Sequence, residues 1–136
     1  MTPKTIIIVL ATIFCILFIA ATPQQKFKAP ASADSKINPL KGNASATLEG
    51  KKTYNQNCVV CHGASGKGDG VAVAGLSKAP ADHSSAIVQA QSDGAIYWKI
   101  EVGNPPMPSY KQTLSATQIW QLVNYIRTLA SKTKPK

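Results

Sequence analysis

This chain of 136 residues is poor in acidic residues and has almost no arginine. Six Asp and Glu stand against fifteen Lys and Arg, a formal net charge of +9. Arg127 is the single arginine, and the lysines are scattered. That pattern argues against a nucleic-acid footprint. It suits a basic carrier that meets acidic protein partners or an anionic membrane surface. Cysteine is also scarce. Cys15 lies in an apolar N-terminal run, which leaves Cys58 and Cys61, too few for a disulfide scaffold. No stretch alternates apolar and polar residues well enough for a sheet, and no internal repeat is visible. The glycine-rich GASGKGDG, residues 63–70, is not a phosphate loop, because no Gly-Lys-Ser/Thr follows at the required spacing. The length fits one small domain with a tail rather than two domains.

What is present divides into four parts. Residues 1–21 hold Lys4 and then an uncharged apolar run from Ile6 to Ala21. This run is slightly long for a signal-peptide core and slightly short for a membrane span. It reads as an export signal, cleaved or else kept as a membrane anchor through residues 5–22. Residues 22–44 mix Pro, Ala, Ser and Lys without apolar periodicity and read as a flexible linker. The domain proper is expected over 45–131, with a basic tail over 132–136.

Within the domain, a helix is expected from about Ala46 to Asn57, directly before CVVCH. Gly50 and Tyr54 lie four apart on one face, a groove beside a ring. Gly50 costs roughly 1 kcal/mol of helix propensity relative to alanine, so close approach by another helix is the reason to look for. A second helix begins at Asp93 and carries Ile96, Tyr97, Trp98 and Ile100. GNPPMPSY, residues 103–110, must be an extended loop, since its prolines forbid helix. The last helix announces itself. Ser115 and Gln118 form a capping box, and Leu114 and Ile119 a hydrophobic staple. Ile119, Leu122, Val123, Ile126 and Leu129 then keep the 3.6-residue period. The fold class is therefore all-α, several short helices joined by long loops. So small a domain offers few apolar side chains for a core, and a bound group is expected to complete it.

CVVCHG, residues 58–63, says which group. A redox dithiol belongs near a βαβ pattern, which is absent here. A structural zinc needs four ligands. Cys58, Cys61, His62 and His83 nominally supply them, but adjacent Cys61 and His62 would strain to reach one tetrahedral ion. The third reading is the C-x-x-C-H attachment of a c-type haem. Two thiols on one helical turn add across both vinyl groups of a porphyrin, and the next residue, His62, is carried under the ring to bond the iron. An exported protein suits this chemistry. One covalent haem c is the expected cofactor.

With these residues in place, the domain resembles the small single-haem class I cytochromes c of the bacterial type. The likeness runs from GKKTYNQNCVVCHGASGKGDG through GNPPMPSY to LSATQIWQLVNYIRTL. It implies that the N- and C-terminal helices pack together, Gly50 and Tyr54 facing Leu122, Tyr125 and Ile126. Met107 is the one thioether outside the export segment, and it sits in a stiff proline loop that holds a sulfur at low entropic cost. The family places its methionine ligand in such a loop. Met107 is thus expected as the second axial ligand, with core filling as its plainer alternative and His83 as its competitor.

Other roles rest on the likeness. Pro80 is the match for a proline carbonyl that accepts the second ring N–H of the iron-bound histidine. Tyr97, Trp98, Tyr110 and Trp120 line the haem or bond its propionates, or else are ordinary core aromatics. Lys67, Lys78, Lys99 and Lys111 form a positive rim for acidic redox donors and acceptors, or simply solubilise. The implied function is single-electron transfer between redox proteins, not enzymatic catalysis, in the periplasm or at the outer face of the cytoplasmic membrane. A haem-based ligand sensor with a labile methionine, or a fixed subunit of a larger oxidoreductase complex, are the alternatives.

Overall fold

In the computed structural model, which describes residues 27–130, Asn43 opens the first long helix. Its side chain accepts a hydrogen bond from the Ala46 N–H at 2.9 Å, so the helix begins at Ala44 rather than Ala46. In chain order the helices are α1 (Ala31–Asp34), α2 (Ala44–Asn57), α3 (Val59–His62), α4 (Ala86–Gln89), α5 (Asp93–Val102) and α6 (Ala116–Thr128), with a 3₁₀ turn at Val73–Gly75. The described residues contain no strand, only a lone bridge between Asn104 and Met107. The all-α expectation holds.

The capping box at α6 is formed in both directions. Ser115 Oγ accepts from the Gln118 N–H at 3.2 Å, and Gln118 Oε1 accepts from the Ser115 N–H at 2.9 Å. Helix α5 is capped by Ser92, whose hydroxyl accepts from Ala95 N–H at 3.0 Å. It ends at Gly103, whose φ of 71° suits glycine. A side chain there would also run into the Pro108 carbonyl.

Helices α2 and α6 cross where Gly50 meets the backbone of Gln121. A Cβ on Gly50 would fall inside the contact radius of the Gln121 carbonyl. That close approach seats Tyr54, Leu122 and Val123, all fully buried, beside Ile119 and Ile126. Helix α5 adds Ile96, Tyr97 and Ile100. Each such aliphatic side chain contributes about 1.5–3 kcal/mol when removed from water. Tyr54 meets Tyr125 edge-on, ring centres 5.1 Å apart.

The expected flexible linker over 22–44 is corrected from Phe27 onward. Ala33 is buried, and its carbonyl fills the place where Gly94 has no side chain. Asn38, also buried, donates to Asn124 Oδ1 at 2.9 Å and Asp93 Oδ2 at 3.0 Å. Asn124 Nδ2 in turn donates to the Leu40 carbonyl, and the Phe27 ring lies 5.4 Å from that of Trp98. The segment is a strap laid over α5 and α6. Its hydrogen-bonded anchors are polar groups, which apolar periodicity does not register. The apolar run of residues 1–21 and the basic tail of 132–136 lie outside the described residues. No helix among the described residues is long and apolar enough to cross a membrane.

Candidate functional site

Cys58 ends α2 and begins α3. Its N–H bonds the Tyr54 carbonyl at 2.8 Å, and its own carbonyl accepts from Cys61 at 3.2 Å and His62 at 2.8 Å. One helical turn therefore separates the two thiols, and His62 follows at once. Both cysteines are free and half-buried. Burial, then the neighbouring Cys61, pushes the Cys58 thiol up to about 12. Burial there disfavours the thiolate that a reactive dithiol would need at Cys58. A neutral thioether suits the place well.

The loop 63–70 folds back over this turn. Gly68 N–H reaches the His62 carbonyl at 2.9 Å, Gly70 the Cys61 carbonyl at 3.1 Å, and Ala72 the Val60 carbonyl at 3.0 Å. The terminal carbonyls of α3 are thereby satisfied. Gly70 lies so close to the backbone of Val59–Cys61 that no side chain would fit.

His62 is buried, and its Nδ1 lies 3.0 Å from the Ala81 carbonyl oxygen. A carbonyl can only accept, so Nδ1 carries the proton and Nε2 keeps a lone pair for a metal. Burial holds the imidazole below its ordinary pKa, against the opposing pull of the Ala81 bond. The ring is thus neutral, as a ligand must be. The carbonyl expected from Pro80 is corrected to that of Ala81. Pro80's own carbonyl is turned toward Gly68, which has no Cβ to obstruct it.

Met107 sits in a closed turn. Asn104 and Met107 exchange backbone hydrogen bonds at 2.9 and 3.0 Å. The loop is pinned to α5 through Tyr110 N–H on the Ile100 carbonyl, 3.2 Å, and Ser109 Oγ on the Glu101 carbonyl, 2.6 Å. Tyr110 Oη then donates to the Asn57 carbonyl at 3.0 Å, one residue before Cys58. Its phenol pKa is raised by burial and then by both cysteines. Of the four aromatic candidates, Tyr110 is the one the structure ties to CVVCH. Tyr97 instead stacks on Trp120, ring centres 4.3 Å apart, under Lys36 at 4.6 Å. Trp98 packs on Phe27. Among the rim lysines, Lys67 and Lys111 are exposed and Lys78 is half-buried. Lys99 bends to Gln91 Oε1 at 2.6 Å.

His83 follows Asp82 in a polar loop. A polar loop, KAPADHSS, suggests a solvated ring, yet the ring stacks on His62, centres 4.1 Å apart and planes within 16°. Burial, then His62, lowers its pKa to about 3, with Asp82 opposing. Two imidazoles on opposite sides of one iron would stand end to end with centres about 6 Å apart, given metal–nitrogen bonds of about 2 Å. Face-to-face stacking is incompatible with that, so His83 is not the competitor of Met107 on the far side of an iron held by His62.

These residues fit a c-type haem. Two thiols lie a turn apart, one neutral imidazole offers Nε2, and a thioether loop is tethered to the attachment turn. Val59 of that turn, with Met107 and Tyr110 of the tethered loop, packs on the core while only half-buried. Such a face suits a flat apolar macrocycle.

No curated protein is similar enough to count as a match. Among solved structures, the chain is similar to one chain of the Kuenenia stuttgartiensis reducing HAO-like protein complex Kustc0457/Kustc0458, with 29% identity and a TM-score of 0.61. The likeness covers 68% of this chain and 47% of that one, so the chain spans about half its relative's length. The Cytochrome c family model matches residues 47–130, from the second turn of α2 through the end of α6. Members of that family bind haem c covalently and carry electrons rather than catalyse a reaction of their own. With its CVVCH turn, its helix crossing at Gly50 and that match, the chain belongs to the cytochrome c family.

Proposed function

We propose that this chain carries single electrons between redox proteins outside the cytoplasm through one haem held by Cys58 and Cys61, with His62 and Met107 as axial ligands. The observation that carries this reading is His62, buried, neutral and oriented by Ala81, in the same turn as the two thiols. When bound, the haem supplies an iron that changes between ferrous and ferric states, at a potential raised by methionine ligation. The chain's own part is to hold the ligands still. Ala81 orients the imidazole through Nδ1, the Asn104–Met107 turn restrains the thioether, and Tyr110 fastens that loop beside Cys58. Two permanent ligands leave no open position for substrate, which favours electron carriage over catalysis or gas sensing.

The test is an absorption spectrum of the matured, reduced protein before and after carbon monoxide, beside Met107→Ala. A low-spin spectrum indifferent to the gas in the wild type, and a prompt shift in Met107→Ala, is the expected result. A prompt shift in the wild type would hand the function to a sensor with a labile ligand. Absence of a covalent haem mass would overturn the reading of CVVCH.

A second reading is a fixed subunit of a larger oxidoreductase complex. It is supported by the likeness to a chain of an HAO-like complex. Anchoring through residues 5–22 would favour it further. The mass of the mature N-terminus and the size of the native particle distinguish a free carrier from an anchored or assembled one.

A further inference from the structure

We propose that His83 is a positioning residue for the iron ligand His62: its ring, stacked on that imidazole, fixes the plane in which the ligand is presented. This rests on the reading of His62 as the proximal ligand. The Ala81 carbonyl holds His62 at one atom, Nδ1. A single hydrogen bond to a carbonyl tolerates a broad range of directions, so by itself it leaves the ring free to tilt. A parallel ring 4.1 Å away removes that freedom, since tilting either ring lifts it from its neighbour.

His83 is itself held on several sides. Its N–H donates to the Gly66 carbonyl at 2.6 Å. Its carbonyl accepts from Gln89 Nε2 at 2.7 Å. Its Cβ fits against Gly66, where any side chain would sit only 3.0 Å from it. Tyr54 approaches the ring edge-on, at 5.9 Å and 64°. Tyr54 Oη donates to the Gly63 carbonyl at 3.1 Å, which leaves its lone pairs to face His83 Nδ1 at 3.4 Å. Tyr54 is fully buried at the crossing of α2 and α6. A continuous contact thus runs from the helix crossing, through Tyr54 and His83, to the ligand.

Packing alone does not account for a histidine here. An aliphatic side chain would fill the space without the cost of partly burying a polar ring. A flat ring does what an aliphatic group cannot: it defines a plane. Groups behind a metal ligand that orient it in this way are half of a metal site's design.

The experiment uses the matured holoprotein as wild type, His83→Ala and His83→Phe. Low-temperature electron paramagnetic resonance of the ferric form reads the ligand plane, through the position and width of the largest g value, and redox titration gives the midpoint potential. His83→Ala should shift and broaden the g signal and move the potential, and His83→Phe, which keeps a ring in the stack, should restore the narrow line. In the reduced wild type, magnetic resonance should show direct ring-to-ring contacts between His62 and His83. Wild-type signals in both variants, or no ring-to-ring contact in the wild type, would overturn the proposal while leaving the haem reading intact. A wild-type protein without covalent haem would bring down both. If His83→Ala fails to mature, the wild-type contact and His83→Phe still decide.

Discussion

Alanine at Gly50 should destabilise the protein, although alanine is the better helix former. In an exposed helix the exchange is favourable by about 1 kcal/mol. Here the new Cβ would land inside the contact radius of the Gln121 carbonyl and 3.1 Å from the Leu122 amide nitrogen. Both are backbone atoms within α6 and cannot turn aside as a side chain would. Relief requires α6 to back away from α2, which loosens Tyr54, Leu122 and Ile126 together. Overpacking of this kind costs about 1–3 kcal/mol, and a backbone obstacle belongs at the upper end. Less the propensity gain, the net loss is about 2 kcal/mol. In guanidinium unfolding of the holoprotein, followed by far-ultraviolet circular dichroism, that loss lowers the midpoint by roughly 0.5 M. Gly75 supplies the control, because a Cβ there meets nothing within 4 Å and its φ is not positive. Gly75→Ala should be neutral or slightly stabilising, through the unfolded chain alone. If Gly50→Ala proved as stable as Gly75→Ala, the two helices would not be in contact at Gly50, and the packing argument would fail.

Three further outcomes are expected. Asn38→Ala should cost about 1–3 kcal/mol in the same assay, because Asn124 loses its buried partner and Asp93 one of its donors; an unchanged midpoint would mean that the strap is not fastened there. Burial pushes the Asp93 carboxyl up, but bonds from Asn38 and Arg127 and nearby positive charge outweigh it, so its folded pKa lies below the ordinary value. Its contribution is therefore complete above about pH 4 and is lost as pH falls through the folded value; comparing unfolding midpoints at neutral and acidic pH, Asp93→Asn should show a smaller loss on acidification than wild type. Tyr110→Phe removes the bond to the Asn57 carbonyl, costing about 0.5–1.5 kcal/mol. It should also make the reduced protein react with carbon monoxide in stopped flow, where the wild type is indifferent, if that bond restrains the proposed Met107 ligand.

What the sequence makes legible is what a one-dimensional pattern encodes. The capping box at Ser115 and Gln118 is such a pattern, and both its hydrogen bonds are formed. So is Gly50, whose propensity cost pointed to a close neighbour, found at Gln121. Contacts between polar groups far apart in the chain leave no such mark. Asn38 and Asn124 are 86 residues apart, and nothing in a run of Pro, Ala, Ser and Lys distinguishes a docked strap from a free linker. The start of α2 differs for another reason: its cap, Asn43, is a local signal, but it falls in the segment read as linker. Ala81 supplies its carbonyl through the backbone, so its side chain carries no signal at all. His83 was unreadable because its environment is built by His62, Tyr54 and Gly66, none of them close in sequence.

The single arginine bears on the same question. Its scarcity in the chain counts against base recognition, and all three nitrogens of the Arg127 guanidinium bond within the fold. Nε donates to Asp93 Oδ1 at 2.8 Å, Nη1 to the Gln89 carbonyl at 2.8 Å, and Nη2 to the Gln91 carbonyl at 2.5 Å. A lysine could not satisfy three acceptors fixed in that fan, because it offers one compact ammonium rather than a planar fork. Gln89 extends the connection, since its side chain donates both to the His83 carbonyl at 2.7 Å and to the Ile126 carbonyl at 2.9 Å. The strap at Asn38, the helix pair α5 and α6, and the ring behind His62 therefore belong to one hydrogen-bonded chain. An electron carrier works fastest when its ligands keep one geometry in both oxidation states. In so small a domain, with few aliphatic groups to hold a ligand by packing alone, a polar chain anchored on helices supplies that rigidity.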